Sequence, residues 1–341
     1  MSTMQKIADI IGVSKTTVSR ALNGTGYVRK DTRRQILQLA EKLGYRPNLL
    51  AKNLATQKSQ CVGLVMTSAM LDGHYAHEII TYCAKKLQRQ GMELLLADGK
   101  SSAAEERAAI ALLSGLQCDA IILYAHFLTT EEIEQIIKQS ALPIVVFNRV
   151  LSQHPTNMIC CDHRADAYDA TETLRVRGYQ HIAMIGGARN SPTAQSREAG
   201  YSKAIVDAGL EDRQIVVEGR WTLTGGYQAM ARLLNLRPET DAVLAANDEM
   251  AIVAMRYLNE RGMKIPNDVA LIGFDDSPTG PFLTPSLSSI KPPTQAMLSQ
   301  AIDRILALAK GQTVRDTALF RSQIIFRESI GYAVQKTPGS G

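Results

Sequence analysis

The chain has 341 residues, 45% of them hydrophobic and 21% charged, enough for more than one domain and a sizeable core. No apolar run approaches the roughly 20 residues of a membrane-spanning helix, and the opening MSTMQKIADIIG carries acid and amide groups where a signal peptide is apolar, which predicts a cytoplasmic protein. Charge is divided unevenly: residues 1–60 hold eleven Lys or Arg against three acids, a balance of +8, which leaves −3 for the remainder of a chain whose total is +5. Attraction for phosphate is therefore concentrated in the first sixth of the sequence.

In chain order, Met4, Ile7, Ala8 and Ile11 recur at helical spacing, Gly12 ends that helix, and Ser14 is placed to cap the next. In that second helix Val18, Ala21 and Leu22 face one way, leaving Lys15, Thr16, Ser19 and Arg20 outward. A third helix is predicted from about Lys30 to Leu43, with Ile36, Leu39, Ala40 and Leu43 as its apolar face and Gly44 as its stop. Three short helices, the second presenting bases and hydroxyls, form a helix-turn-helix domain over 1–46. Residues 47–60 follow as a linker, in which Asn48 is placed to cap a helix over Leu49 to Ala55 that is too short to be stable alone.

From Cys61 the texture changes to strands alternating with amphipathic helices. Strand-like runs fall at 61–67, 92–99, 118–124 and 142–148, and a second series at 181–187, 215–221, 241–247 and 269–276. The fold class is α/β: an all-α N-terminal domain followed by two doubly wound parallel sheets with a cleft between them, where ligands sit beyond the carboxyl ends of the strands. Cys61, Cys83, Cys118, Cys160 and Cys161 form no CxxC pair and read as reduced core thiols rather than a disulfide frame or zinc site. His74 and His77 lack a carboxylate or cysteine to complete a metal set, so no metal is expected. Gly186-Gly187 lacks the GxGxxG frame, and no GxSxG or HExxH occurs, so neither a nucleotide cofactor nor an enzyme is predicted.

The segments KIADIIGVSKTTVSRALNG, GYRPNLLAKNLA, GYQHIAMIGG, SREAGY, AANDEMAI and VALIGFDDSP, in this order over residues 3 to 332, resemble the lac/gal repressor family of bacterial transcription regulators. The resemblance implies a homodimer that reads near-palindromic double-stranded operator DNA and a periplasmic-binding-protein-like core, 61–341, that binds a small effector. Its N-subdomain would take about 61–160 plus 294–319, its C-subdomain about 161–293 plus 320–332. Only QKTPGSG follows the last strand-like run, too short for a heptad tail, which predicts a dimer without a tetramer.

Lys15, Thr16 and Arg20 match the family's base-reading positions; positions 16 and 20 lie one helical turn apart, and arginine can bond two acceptors of guanine. Taken alone they would be a solvated helix face, and the local positive charge is what favours DNA. Ser14, Thr17, Ser19, Asn23 and Arg33 are expected to hold phosphates. Leu54 matches the hinge leucine that is pushed between base pairs from the minor groove. In the core the resemblance assigns the effector to Tyr75, Asn148, Arg197, Trp221, Asn247 and Asp275, with Trp221 laid on a sugar ring and the polar groups suited to vicinal hydroxyls. Asn148 stands where the lac repressor has an acid, and Thr294 where it has an aromatic, departures that argue against lactose-type galactosides. The expected function is a repressor of a β-glucoside-type operon. The alternatives are the same scaffold responding to a nucleobase or sugar phosphate, or a sugar-binding protein without DNA function.

Overall fold

The computed structural model describes residues 4–24, 26–45, 59–68, 73–315 and 319–332. Leu54, the expected helix over Leu49 to Ala55 and the tail beyond 332 lie outside them. The chain divides into two compact units, Met1–Ser59 and Gln60–Gly341.

In the first unit, helices α1 (Met4–Ile11), α2 (Lys15–Asn23) and α3 (Lys30–Lys42) close on Ile7, Ala8, Val18, Ala21, Ile36 and Ala40, the residues at helical spacing in the sequence. Gly12 adopts φ +75°, which lets the chain turn sharply after α1. Ser14 then caps α2, its hydroxyl accepting from the Thr17 amide at 3.1 Å, a contact of about 1 kcal/mol. Helix α3 ends one residue earlier than expected, with Leu43 as its cap and Gly44 at φ +62° beyond it.

The second unit holds two sheets. The first contains β1 (Cys61–Met66), β2 (Glu93–Asp98), β3 (Ala120–Leu123), β4 (Ile144–Phe147) and β5 (Met158–Ile159), all parallel, in the order β2-β1-β3-β4-β5. Between them run α4 (His74–Gln88), α5 (Ala103–Gly115) and α6 (Thr130–Gln139). Strand alternation decides which layer each side chain joins: Val62, Leu64 and Met66 pack with Ala76, Ile79 and Cys83 of α4, whereas Val65 packs with Ala109 and Leu113 of α5. Burial on both faces is why β1, β3 and β4 read as unbroken apolar runs, whereas β2, at the sheet edge, leaves Leu96 exposed. Gly63 is required here, because a Cβ would lie 2.6 Å from a Leu113 methyl.

The chain then crosses to a second sheet through α7 (His163–Val176). Strands β6 (Ile182–Gly186), β7 (Val216–Glu218), β8 (Ala242–Ala245), β9 (Ala270–Phe274), β10 (Ser288–Lys291) and β11 (Gln323–Ile325) lie in the order β11-β10-β9-β8-β6-β7, with only β11 antiparallel among them. Helices α8 (Pro192–Asp207), α9 (Leu223–Leu236) and α10 (Asp248–Glu260) cover it. After β10 the chain returns to the first sheet, where α11 (Thr294–Ala309) buries Met297, Leu298, Ala301, Ile302 and Ile305 against it, before β11 closes the second. Each sheet with its covering helices thus draws on two separate stretches of sequence, the first for α11 and the second for β11.

Helices α7 and α8 approach so closely that a Cβ on Gly200 would lie 2.0 Å from the Arg164 carbonyl oxygen. Backbone cannot give way as a side-chain tip can, so Gly200→Ala should destabilise the second unit by about 1–3 kcal/mol. The midpoint of urea unfolding measures it, and a variant as stable as the parent would show that the two helices are free to part.

Candidate functional site

On the first unit, Lys15, Thr16 and Arg20 are exposed on one side of α2, opposite the buried Val18 and Ala21. Ser14 and Thr17 face each other, their hydroxyls 2.9 Å apart at the helix start, and Ser19 is half-buried. Asn23 is the last residue of α2. The Arg33 guanidinium sits beside Gly24, where a Cβ would meet its Nη2 at 3.1 Å, so this cation also faces the carbonyl end of α2 and complements its dipole.

In the second unit, the carboxyl ends of the two sheets bring the other expected residues together. From the first sheet come Tyr124, directly after β3, and Asn148, directly after β4. Asn148 has φ +62°, a left-handed conformation that asparagine tolerates better than most residues, and this holds its amide in a fixed direction. Its Nδ2 donates to the Tyr124 hydroxyl at 3.0 Å, and its Oδ1 lies 2.6 Å from His163 Nε2. Tyr75, in the first turn of α4, meets the Tyr124 ring edge-on at 6.3 Å between centroids.

From the second sheet and its helices come Arg197, within α8, Asn247, which caps α10, and Asp275, directly after β9. Arg197 is 5% exposed and would be costly to bury uncompensated. It donates to the Ala246 carbonyl, lies over the Phe274 ring at 3.9 Å and forms an ion pair with Asp275 at 3.7 Å. Burial raises the Asp275 carboxyl, and Arg197 pulls it back toward ionisation. Burial pushes the Tyr75 phenol well above its ordinary value, with the charges of Asp275 and Arg197 also acting on it, so α4 and the ends of the second sheet share one buried region. The Tyr124 hydroxyl is likewise raised by burial, to about 12.

Two expectations need refinement. Asn247 spends its Oδ1 capping α10, accepting from the Met250 amide at 2.9 Å, and its Nδ2 reaches the Trp221 carbonyl at 3.4 Å; it positions its surroundings as much as it offers bonds. Trp221 rests against Gly187, where a Cβ would fall 2.2 Å from the indole, and its ring centre is 5.8 Å from the Arg197 guanidinium carbon. Gly187 thereby acquires a role as a berth for the indole.

Sequence reasoning missed His163, Tyr124, Phe274 and Asp248. Asp248 is buried behind Asp275, with its carboxylate accepting from the Ser277 amide and the Ser289 hydroxyl, each at 2.7 Å, which fixes the loop that carries Asp275 and Asp276. Its neighbour Asp276 is bound by Arg327 at 2.5 Å and Lys291 at 2.9 Å. A separate open cavity of about 790 Å³ lies alongside, lined by His74, His77, Glu78, Asp276, Lys291 and Thr294 among others. Of the six expected effector residues only Asp275 reaches it. Of the other five, Asn148, Arg197 and Asn247 are buried, and Tyr75 and Trp221 are half-buried.

A basic three-helix unit with an exposed polar helix face, joined to two sheets that converge on a polar site, defines a ligand-responsive DNA-binding regulator. Residues 3–48 match the model of bacterial regulatory proteins of the lacI family, and residues 171–330 that of a periplasmic binding protein-like domain. The chain is 40% identical to the transcriptional regulator AscG of Escherichia coli K12 over 97% of its own length and 98% of that protein's. It superposes on the lac repressor dimer bound to operator and anti-inducer with a TM-score of 0.88, at 26% identity, covering 96% of this chain and 98% of that one. The cellobiose complex of the regulator CelR gives a TM-score of 0.72 at 28% identity, covering 96% and 100%. The chain belongs to the lacI family and is a DNA-binding transcriptional regulator, not an enzyme. Among the described residues no helix is long and apolar enough to cross a membrane.

Asp248 gives the site a pH dependence. Burial lifts its carboxyl from 3.8 to about 8, so between these values the folded chain holds a proton that the unfolded chain has lost. This group therefore lowers stability progressively as pH rises from about 4 to about 8, the reverse of a salt-bridged carboxylate. Asp248→Asn keeps the shape of the protonated acid and should flatten that decline. Parallel stability–pH curves for the two proteins would show that Asp248 is ionised throughout.

Proposed function

We propose that this regulator is a cytoplasmic homodimeric repressor of a β-glucoside-type utilisation operon, released from a near-palindromic operator by an uncharged sugar or glycoside. The observation that carries the effector class is the charge balance of the buried site. Arg197 is matched by Asp275 at 3.7 Å, and the opposite wall offers the neutral Asn148 and Tyr124. A sugar phosphate would enter with charge that no spare cation in this cluster balances, whereas a neutral polyol exchanges water hydrogen bonds for fixed ones. Trp221, Tyr75 and Phe274 supply apolar surface of the kind that covers the faces of a pyranose ring. The bound cellobiose of CelR is consistent with the same class. An effector shifts only an equilibrium whose two states it binds unequally, so release of DNA requires that the two sheets close differently around the sugar than around water.

For DNA, the reading assigns base contacts to Lys15, Thr16 and Arg20, phosphate contacts to Ser14, Thr17, Ser19, Asn23 and Arg33, and minor-groove insertion to Leu54. Groove-facing and backbone-facing cations separate experimentally. Arg20→Ala should relax discrimination at one operator position by about 1–3 kcal/mol, while Arg33→Ala should weaken operator and random DNA alike. Fluorescence anisotropy with both DNAs decides, and equal losses on both for Arg20→Ala would remove its base-reading role.

Trp221 is the only tryptophan, so its emission reports on the site directly. Arbutin, salicin or cellobiose should change it saturably, and Asp275→Ala, which leaves Arg197 uncompensated, should abolish the response. A response to a purine and to none of the glycosides would replace the sugar reading with the nucleobase one.

A further inference from the structure

Resting on the sugar reading above, we infer that His163 is a specificity-determining effector contact, whose Nδ1 accepts a hydrogen bond from one ring hydroxyl of the ligand. His163 opens α7, at the crossing between the two sheets, and is 6% exposed. With the Asn148 amide donating to Tyr124 through Nδ2, its Oδ1 faces His163 and requires a donor there, so the imidazole proton resides on Nε2. The other nitrogen, Nδ1, is then a bare acceptor, and it is buried without a partner. Burial, followed by the nearby Arg197 charge, holds this histidine well below its ordinary pKa, so it stays neutral and Nδ1 keeps its lone pair.

Arg197, close enough for its charge to act on His163, also leaves its buried Nε–H without a partner. Buried polar groups are rarely left unsatisfied, and here the pair consists of one donor and one acceptor. A hydroxyl is the complement of that pair, since it accepts from Nε–H and donates to Nδ1. A carboxylate or phosphate oxygen can satisfy Arg197 but not Nδ1, and an ammonium the reverse. The site therefore selects a neutral polyhydroxylated ligand by the hydrogen that one of its hydroxyls carries, and Asn148 acts as the positioning residue that sets the histidine tautomer.

The experiment is calorimetric titration of the full chain and of His163→Gln with arbutin and with analogues in which each sugar hydroxyl in turn is replaced by hydrogen or by fluorine. Glutamine keeps a donor for Asn148, and with its amide nitrogen turned to that partner its own carbonyl oxygen cannot occupy the place of Nδ1, so it should preserve the melting temperature and weaken arbutin by about 10- to 100-fold. At one ring position the fluoro analogue, which accepts but cannot donate, should lose the same factor against the parent chain and nothing further against His163→Gln. Unchanged arbutin affinity in His163→Gln, or equal further losses at every ring position, would overturn the assignment while leaving the sugar reading intact. A parent chain that binds no glycoside overturns both. Independently of any variant, imidazole nitrogen NMR of the parent chain should show Nδ1 passing from bare to hydrogen-bonded on arbutin addition; an Nδ1 signal unmoved at saturation also rules the contact out.

Discussion

A guanidinium withdrawn from water governs the polar cluster at the ends of the two sheets. Isolated, the Arg197 charge would be prohibitive in a low-dielectric interior, and the surrounding structure can be understood as the means of keeping it there. The Ala246 carbonyl at the end of β8, the Phe274 ring at the end of β9 and the Asp275 carboxylate one residue later all converge on it. Asp275 must in turn be held in a left-handed conformation, φ +99°, which the anchored loop around Asp248, Ser277 and Ser289 maintains. That anchorage stores a cost, because burial, followed by the charge of Asp275, pushes the Asp248 carboxyl well above the ordinary carboxylate range. Precise placement of a few polar groups is thus achieved at the expense of stability elsewhere, the usual compromise at a binding site.

The opposite wall solves a complementary problem. Placing a second carboxylate near Arg197 would leave the cluster with net negative charge, and asparagine at 148 avoids this while still orienting its neighbours. The chain His163–Asn148–Tyr124 joins three elements that are distant in sequence through two hydrogen bonds, so ring and amide orientations are fixed together before any ligand arrives.

Much of this was readable in the residues. Eight strands announce themselves as apolar runs, six of them, β1, β3, β4, β6, β8 and β9, because they are buried along their length; caps such as Ser14 and stops such as Gly12 and Gly44 mark the small helices. Strand β5 escaped notice because it is two residues long, and β10 because its sequence, SSIK, is polar. Its serines are buried and satisfied laterally by Ser329, Arg327 and Asp248, partners about 40 residues away that no local pattern reveals. Arg197 and Asp275 are singled out by the family segments SREAGY and VALIGFDDSP, and Asn148 by the same resemblance. His163 is not: it follows two cysteines and an aspartate with no periodic signal, and only the fold brings it to Asn148. For Asn247 the sequence showed a polar side chain before a helix, a pattern shared by caps and ligand donors, and the structure commits half of that amide to the cap.

The way the two sheets exchange segments has a consequence for synthesis on the ribosome. Among the described residues, the core of the three-helix unit is drawn entirely from the first 45. The first sheet has all five strands by residue 159, yet the face that α4 covers only in part is not completed until α11 emerges more than 130 residues afterwards, and the second sheet waits for β11 at 323–325. Throughout that interval the nascent chain carries a finished DNA-reading head on an unfinished sensor whose apolar face is open to water or to a chaperone. Truncation or stalling anywhere between 160 and 320 therefore yields a head without a functioning core, and quality control of this regulator depends on its last few dozen residues arriving intact.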